Sequence, residues 1–491
     1  MVRIGAAVAA LSALITSTVA VTPMVVRGAD FVNSVDGTRF QIIGVAYQPG
    51  GSGGYNGDGN DALTDAEVCQ RDAVILQRLG MNAIRVYNLD PDADHTECAS
   101  IFNAAGIYMI IDVNSPLPNE SLNRVAPWES YNEGYLERVF KTVSAFMNFP
   151  NTLAFFSGNE VINEDSHPMA PAYIRAVTRD IKEYLAEHSD REVPVGYSAA
   201  DVRPLLAGTY NYMACNLAND TASKIDFFGL NSYAWCGDSN MEDAEYDVLV
   251  EQFGNTTIPI FMSEYGCNLV APRPFTEVGA LYGTEMTGVF SGGVVYEYSQ
   301  EPNNYGLVEI DDSGDVELFE DYDLLQEQLN QLDLATLTAT NRTAMERTAP
   351  ECSLDLLMGA NFTESFAVPE QLSEIADLIR NGVDGEWPTG VTEITETAVG
   401  HRVTGSNGNE VSDLALNILA EDESNLPGGE PISTGERVDI GEGDNGVGGS
   451  SGNSSSGSGS SSGEEDAAVR LGGAQLTFLT MGALGLGMFM L

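Results

Sequence analysis

The feature that most constrains the fold is an alternation of apolar strand-like runs with amphipathic helix-like runs, from Phe40 to about Leu329. Short apolar runs are typical of strands in a parallel sheet, which is covered by helices on both faces. The intervening segments 65–79, 135–147 and 172–186 have apolar residues at helical spacing. Eight alternations predict an α/β fold, a (β/α)8 TIM barrel with its active site at the C-terminal strand ends. The predicted strands are 40–47, 83–87, 107–113, 152–157, 193–197, 227–233, 258–262 and 293–298.

Two of these apolar runs end in a glutamate. The fourth run leads to Glu160 and the seventh to Glu264. The chain holds 72 Asp and Glu residues, most of which we expect to be solvated charges. A carboxylate directly after a buried strand is costly, however, unless it is paired or functional. Two carboxylates at one end of a barrel are what glycoside chemistry requires, because one protonates the leaving oxygen while the other attacks the sugar carbon. We therefore expect both glutamates to be catalytic.

Other predicted strand ends carry polar and aromatic side chains that suit a sugar ligand. Aromatic rings stack on the apolar faces of pyranose rings, while amides and carboxylates bind hydroxyl groups. For any single tyrosine, core packing is an equal alternative, and the shared position after strands favours binding. Asn159 adjoins the proposed acid, where its amide suits a sugar 2-hydroxyl. These strand-end residues are Tyr47, Gln48, Arg85, Tyr87, Asp112, Asn159, Tyr233, Trp235 and Tyr296.

Charge and residue usage exclude several classes of function. The formal net charge is −50, with only 22 Lys and Arg residues, so nucleic acids and anionic membrane surfaces are poor partners. A neutral polysaccharide is compatible with this charge. The chain has four histidines and no Cys-x-x-Cys pair, so the sequence predicts neither a metal site nor a cofactor.

The N-terminal segment indicates the compartment. Residues 1–20 contain one positive charge at Arg3, an apolar stretch at 4–15 and small residues at 17–20, the pattern of a secretory signal peptide. Six cysteines in a secreted chain then predict three disulfides. Six Asn-x-Ser/Thr sequons fit a secreted glycoprotein and lie at Asn119, Asn219, Asn255, Asn341, Asn361 and Asn453.

The C-terminal segment has the pattern of a glycosylphosphatidylinositol (GPI) anchor signal. Residues 471–491 are largely apolar and uncharged, and a Ser/Gly-rich stretch and a short polar spacer precede them. An ordinary C-terminal membrane helix is the alternative, although no charged residue follows to hold it on the cytoplasmic side. Small residues at 460–462 form an attachment window. We expect a removed anchor signal at 463–491 after a linker at 441–462.

The alternation defines the remaining domains. The catalytic barrel is expected at 21–335, and an acidic C-terminal extension at 336–440 follows it. The extension contains one helical stretch, at 370–380, and a single cysteine, so no separate disulfide-stapled module fits there. We expect it to pack partly on the barrel, and to continue beyond Thr389 as a solvated or glycosylated stalk.

Five separated motifs resemble the GPI-anchored fungal β-1,3-glucanosyltransferases of glycoside hydrolase family 72. The resemblance covers residues 22–355, and the missing cysteines match the branch without a cysteine-rich glucan-binding module. It implies a retaining enzyme that cleaves a β-1,3-glucan and transfers the new reducing end to another chain in cell-wall assembly. The motifs are Gly44-Val-Ala-Tyr-Gln-Pro-Gly-Gly51, Gly158-Asn-Glu160, Asn231-Ser-Tyr-Ala-Trp-Cys-Gly237, Ser263-Glu-Tyr-Gly-Cys267 and Asn303-Asn-Tyr-Gly-Leu307.

The resemblance also implies residue roles. Glu160 would be the acid/base and Glu264 the nucleophile. Asp201 and Arg203 would be acceptor contacts, although the loop at 198–203 departs from the family pattern, as does 112–116 slightly. The donor contacts would be Gln48, Tyr87, Asp112, Asn159, Tyr233 and Tyr296. The implied disulfides are Cys69–Cys98, Cys236–Cys267 and Cys215–Cys352.

Three functions from different classes stay open at this point. The first is a cell-wall transglycosylase, a monomer anchored by GPI at the outer face of the plasma membrane or in the wall. The second is a secreted retaining endo-β-1,3-glucanase, which would use the same two carboxylates. The third is a catalytically silent wall glycoprotein, which the presence of both glutamates disfavours.

Overall fold

The structure is a computed structural model that describes residues 20–51, 55–57, 59, 61–363 and 365–433. The predicted signal peptide, apart from residue 20, lies outside the described residues, as do the predicted linker at 441–462 and the predicted anchor signal at 463–491. Among the described helices, none has the length and apolar character needed to cross a membrane.

A small antiparallel sheet begins the described chain. It consists of β1 (Met24–Arg27), β2 (Asp30–Asn33) and β3 (Arg39–Phe40). The Phe31 ring of β2 is fully buried and lies 5.7 Å from the Phe227 ring, at the start of a barrel strand. The sheet therefore covers the N-terminal end of the barrel and leaves the C-terminal end for the site.

Eight parallel strands close into a barrel, which confirms the predicted fold. The barrel closes where the first and eighth strands pair, and Gly292 makes that approach possible. Its φ is +88°, and a Cβ there would lie 2.1 Å from the carbonyl oxygen of Ile42. The strands are β4 (Ile42–Ala46), β5 (Ala83–Val86), β6 (Tyr108–Asp112), β7 (Thr152–Asn159), β8 (Val195–Ala200), β9 (Phe227–Asn231), β10 (Ile260–Tyr265) and β11 (Phe290–Val295).

Helices pack around the barrel and bury their apolar faces against the strands. The first of them illustrates why they begin and end where they do. Asp65 accepts hydrogen bonds from the backbone N–H groups of Glu67 and Val68, and Gly80 ends the helix in a left-handed conformation with φ +91°. These helices are α1 (Ala66–Leu79), α2 (Thr96–Ala104), α3 (Pro127–Ser130), α4 (Glu133–Phe146), α5 (Ala170–His188), α6 (Arg203–Ala214), α7 (Tyr246–Phe253) and α8 (Glu277–Leu281).

A second small sheet and several short helices follow the barrel. The predicted helix at 370–380 is present as the last of these helices, and a 3-10 turn at Leu354–Leu357 precedes it. The elements are β12 (Val308–Ile310), β13 (Val316–Leu318), α9 (Glu320–Leu329), α10 (Leu334–Thr338), α11 (Arg342–Met345), α12 (Ser373–Asn381) and β14 (Val403–Thr404).

The prediction of a solvated stalk beyond Thr389 is wrong for the residues that the structure describes, which extend to 433. β14 pairs with β13, and Leu414, Leu416 and Ile432 are buried. The Asn425 side-chain amide donates to the carbonyls of Gln77 and Met81, at 2.9 and 2.8 Å. This segment therefore packs along the barrel helices, although it forms almost no regular secondary structure.

The same segment also meets the start of the described chain. The Thr22 hydroxyl donates to the Asp422 carboxylate, and the Asp422 backbone N–H contacts the Ala20 carbonyl at 3.5 Å. The Tyr108 hydroxyl donates to the Thr22 carbonyl at 2.6 Å. The N-terminal residues are thus held between the barrel and the C-terminal extension.

Three disulfides join the cysteines in the pairs that the resemblance implied. Cys236–Cys267 connects the loops after β9 and β10, which are neighbours in the barrel. Cys215–Cys352 attaches the extension to the end of α6. Cys69–Cys98 joins α1 to α2.

Candidate active site

Glu264 lies near the C-terminal end of β10 and is almost fully buried, with 1% of its surface exposed. Three donors surround its carboxylate. The hydroxyl of Tyr233 donates to Oε2 at 2.7 Å, and the hydroxyl of Tyr87 donates to Oε1 at 3.1 Å. The Arg85 guanidinium lies 3.3 Å from Oε1. All three groups stabilise the ionised carboxylate, the form that can act as a nucleophile.

Burial raises the pKa of Glu264 to about 7. The positive charge of Arg85 opposes this shift, while the charge of Glu160 adds to it. The hydrogen bonds from Tyr233 and Tyr87 lower the pKa. The charge of Glu160 therefore lies close enough to disfavour ionisation of Glu264.

Glu160 directly follows β7 and is half-buried. Its φ is +48°, a left-handed conformation that a non-glycine residue adopts at a cost of about 1 kcal/mol or more. Its backbone N–H donates to the Ser198 carbonyl at 2.9 Å, and its Oε1 accepts from the Asn231 amide at 2.8 Å. Strain of this kind is typical of functional sites, where the surrounding structure holds the residue in place.

Arg85 stands at the centre of the site, fully buried on β5. Its guanidinium donates to both carboxylate oxygens of Asp112, at 2.8 and 3.2 Å, and to the Asn159 Oδ1 at 3.0 Å. It also packs on the Tyr87 ring, 4.4 Å from the centroid. The arginine therefore fixes the two acidic strand ends and the amide around one positive charge.

Asn159, which is predicted to bind the sugar, is held in place by two protein donors. Its Oδ1 accepts from Arg85 and from the Asn231 amide, the latter at 3.1 Å. Asn231 is held in turn by the hydroxyls of Ser198 and Ser263, which donate to its Oδ1 at 3.0 and 2.7 Å. Among the described residues, the Asn159 Nδ2 group has no hydrogen-bond partner, so it is available to a ligand hydroxyl.

Four tyrosine rings form a wall beside Glu264, which we call the tyrosine wall: Tyr87, Tyr233, Tyr296 and Tyr305. The Tyr296 ring lies 6.4, 6.3 and 5.4 Å from those of Tyr87, Tyr233 and Tyr305. The rings of Tyr233 and Tyr305 are 5.5 Å apart. Two members donate directly to Glu264, so the wall connects an aromatic surface to the buried carboxylate.

Other residues predicted at strand ends make hydrogen bonds to groups other than the two glutamates. Asp112 is 4% exposed and its carboxylate is engaged by Arg85. Gln48 is buried after β4, and its carbonyl accepts from the Ser299 hydroxyl at 3.2 Å. The Tyr47 hydroxyl donates to Asp72, and the Trp235 indole donates to Thr276 at 2.9 Å. Both aromatic side chains therefore serve packing outside the glutamate pair.

Asp201 follows β8, Arg203 begins α6, and the two side chains pair with each other. Arg203 Nε is 2.6 Å from Asp201 Oδ1, and the Ser232 hydroxyl donates to Asp201 Oδ2 at 2.6 Å. Arg203 also lies 3.7 Å from the Glu245 carboxylate. The pair is tied to the catalytic strands through Ser232, whose backbone N–H donates to the Glu264 carbonyl at 2.9 Å.

Sequence reasoning missed the roles of three residues. Arg85 was recognised only as a polar strand end, Asn231 fell inside a predicted strand, and Tyr305 belonged to a matched motif without a role. A charged residue inside the apolar run Ala83–Val86 was the available signal for Arg85. Among the described residues, no group of three or more His, Cys, Asp or Glu side chains is arranged to hold a metal ion.

The chain is similar to several named fungal proteins. A family model described as glucanosyltransferase matches residues 13–333. The chain is 52% identical to the 1,3-beta-glucanosyltransferase gel2 of Aspergillus fumigatus over 419 residues, 85% of this chain and 88% of that protein. It is 42% identical to the 1,3-beta-glucanosyltransferase GAS4 of Saccharomyces cerevisiae over 331 residues, 67% of this chain and 70% of that protein.

A solved structure shares the architecture. It is Saccharomyces cerevisiae Gas2p in complex with laminaritriose and laminaritetraose. The TM-score is 0.64 at 35% identity, and the match covers 71% of this chain and 77% of that chain.

Proposed function

The chain belongs to the fungal glucanosyltransferase family, glycoside hydrolase family 72, and on this premise we propose that it cleaves a β-1,3-glucan and transfers the new reducing end to a second glucan chain. The observation that carries the proposal is the environment of Glu264, a buried carboxylate with three donors beside a second carboxylate, Glu160. Its relatives carry the same activity in their names.

The first step forms a covalent intermediate. Glu264 attacks the anomeric carbon, the glycosidic C–O bond breaks, and Glu160 gives its proton to the leaving sugar oxygen. The three donors on Glu264 stabilise the negative charge that it needs as the nucleophile, and the acid step requires the proton on Glu160. Retention of configuration calls for the two carboxyl groups to be about 5–5.5 Å apart.

The second step transfers the sugar. Glu160, now a carboxylate, removes the proton from an acceptor hydroxyl, whose oxygen bonds to the anomeric carbon as the ester bond to Glu264 breaks. Glu264 leaves as a carboxylate and Glu160 regains its proton. The tyrosine wall offers a stacking surface that helps an acceptor sugar hold the site against water. The Asn159 amide suits the sugar 2-hydroxyl.

Product analysis on reduced laminari-oligosaccharides tests this proposal. Transfer yields products longer than the substrate, whereas hydrolysis yields only shorter ones. We expect Glu160→Gln and Glu264→Gln each to lower turnover on the order of 10⁴-fold or more while binding of the oligosaccharide persists. Glu277→Gln is the matched control, because Glu277 is also buried and its pKa is also raised by burial to about 7, but it lies on α8. Shorter products alone from the unaltered chain would establish the hydrolase instead.

We also propose that the chain is secreted and anchored by GPI at the outer face of the plasma membrane, from which it reaches glucan in the wall. The apolar uncharged end of the sequence and its Ser/Gly-rich spacer support this. Phosphatidylinositol-specific phospholipase should release the protein from cells. Detection of a peptide from 471–491 in the mature protein would argue for the membrane-helix alternative.

A further inference from the structure

Arg273 lies in the loop between β10 and α8 and is 1% exposed. Its Nε is 2.6 Å from the Asp321 carboxylate, which also accepts from the Arg273 backbone N–H at 3.1 Å. Asp321 belongs to α9, a helix beyond the barrel. The ion pair therefore links the loop after a catalytic strand to the segment that follows the barrel.

The other guanidinium nitrogens donate to the backbone of the active-site loops. Nη1 donates to the carbonyl of Tyr296 at 2.7 Å, and Nη2 donates to the carbonyl of Tyr305 at 2.7 Å. A longer contact reaches the Gly266 carbonyl at 3.3 Å, two residues after Glu264. One side chain thus binds backbone carbonyls of two different barrel loops.

These carbonyls belong to the tyrosine wall or to the end of the nucleophile strand. Tyr296 and Tyr305 are two of its four members, and their rings lie 5.4 Å apart. The guanidinium itself lies 5.9 Å from the Tyr305 ring centroid and 4.7 Å from that of Phe275. Arginine suits this position because its planar group presents five donors in a fixed arrangement, whereas lysine presents a single flexible ammonium group.

We propose that Arg273, held by Asp321, is a positioning residue that fixes where the tyrosine wall lies relative to Glu264. It thereby selects the position along the glucan chain at which the enzyme cleaves. The proposal rests on the proposed function, because it assigns the wall to sugar binding. It also makes α9, which lies outside the eight-stranded unit, part of the apparatus that defines the site. Their effect on the site passes through the backbones of Tyr296, Tyr305 and Gly266, which Arg273 binds.

Two conservative variants test the proposal. Arg273→Lys keeps the charge but removes the planar fork, and Asp321→Asn keeps the shape but removes the ion pair. The matched control is Arg175→Lys, because Arg175 is also fully buried and donates to the carbonyls of Tyr212 and Cys215, at 2.8 and 3.2 Å, away from the site. All three are compared by thermal unfolding, by KM and kcat, and by the sizes of products from a reduced laminari-oligosaccharide.

We expect Arg273→Lys to raise KM for the donor and lower kcat/KM about ten-fold or more, and to change the distribution of product lengths. Asp321→Asn should cause the same change in products to a smaller degree. Arg175→Lys should lower thermal stability and leave the product distribution unchanged. If Arg273→Lys does not fold, the KM and the product distribution of Asp321→Asn test the proposal instead.

An unchanged KM and product distribution in a folded Arg273→Lys or Asp321→Asn variant would overturn the proposal, as would the same product change in Arg175→Lys. The unaltered protein separates this result from a failure of the proposed function. If it gives no transfer products, the function fails; if it does and the variants match it, only the positioning role fails.

Discussion

Glu264 is an acidic side chain with almost no contact with water, and its position makes the stability of the protein depend on pH. Its pKa is raised from about 4.5 to about 7, mainly by burial. A group with a raised folded-state pKa contributes its full stability below the unfolded pKa. That contribution is lost as the pH rises through the folded pKa. Ionisation of Glu264 therefore lowers the free energy of unfolding as the pH rises through about 7.

Glu264→Gln removes this penalty. We expect the variant to unfold at a higher temperature than the unaltered chain above pH 7, with a gain of up to about 3 kcal/mol, and to differ little from it below pH 4.5. Glu251→Gln is the control, since Glu251 is exposed on α7. Thermal unfolding at pH 4 and pH 8 measures both variants. Equal gains at the two pH values would contradict the assigned burial.

At the scale of single residues, the sequence predicted which residues lie in the site better than it predicted their hydrogen-bond and ion-pair partners. Glu160 and Glu264 were found because an acid after a buried strand needs a reason to be there. Asp112 was found at a strand end too, but nothing local to it indicated that Arg85, 27 residues earlier, would bind both of its oxygens. Contacts between strands depend on the register of the barrel, which no local pattern contains.

At the scale of elements, the disulfide between the loops after β9 and β10 can stabilise both the whole fold and the active site. A second disulfide of similar loop length, far from Glu264 in the sequence, allows the two effects to be distinguished. Cys236–Cys267 closes a sequence separation of 31 residues and Cys69–Cys98 one of 29. The chain-entropy contributions are therefore nearly equal, about 3–4 kcal/mol each. Only Cys236–Cys267 is attached to the loop that follows the strand carrying Glu264.

Replacing both cysteines of either pair by serine tests this difference. We expect similar losses of unfolding free energy from the two double variants, measured by chemical denaturation. Removing Cys236–Cys267 should lower kcat/KM by about ten-fold or more, because the loop after Glu264 loses its brace. Removing Cys69–Cys98 should leave activity close to its original value in the folded fraction. Equal activity losses would show that the brace is not specific.

All eight barrel strands were predictable as short apolar runs, and the helices at 65–79, 135–147 and 172–186 from apolar residues at helical spacing. Their ends were not. The seventh strand was predicted to end at Met262, yet β10 continues to Tyr265, where Glu264 pairs with Asn231 of β9. Polar residues that face the catalytic end of a barrel stay in the strand, so the loss of the apolar pattern marks the site rather than the strand end.

At the scale of the whole molecule, the extension after residue 389 was the part that sequence reasoning misplaced. Its composition is polar and acidic, and its few apolar residues have no helical or strand period. Leu414, Leu416 and Ile432 are nevertheless buried, although the backbone around them is irregular. Asn425, for example, satisfies two carbonyls near the end of α1. Composition alone predicts disorder for such a segment.

Paired substitutions in this segment measure its contribution. Leu416 is 4% exposed and Ile418 is 40% exposed. We expect Leu416→Ala to lower the free energy of unfolding by about 2–4 kcal/mol, and Ile418→Ala to lower it by about 1 kcal/mol or less. Chemical denaturation distinguishes them. A solvated stalk would make both substitutions neutral.

The contact between Thr22 and Asp422 has a consequence for the timing of folding during synthesis. The two residues are 400 positions apart, so at roughly 5–20 residues per second the first waits on the order of 20–80 seconds for the second. Through that interval the growing chain keeps its earliest segment without its final partner. The last folding steps therefore follow translation of the extension, and we expect a chain released early, before residue 422, to be a substrate for chaperones.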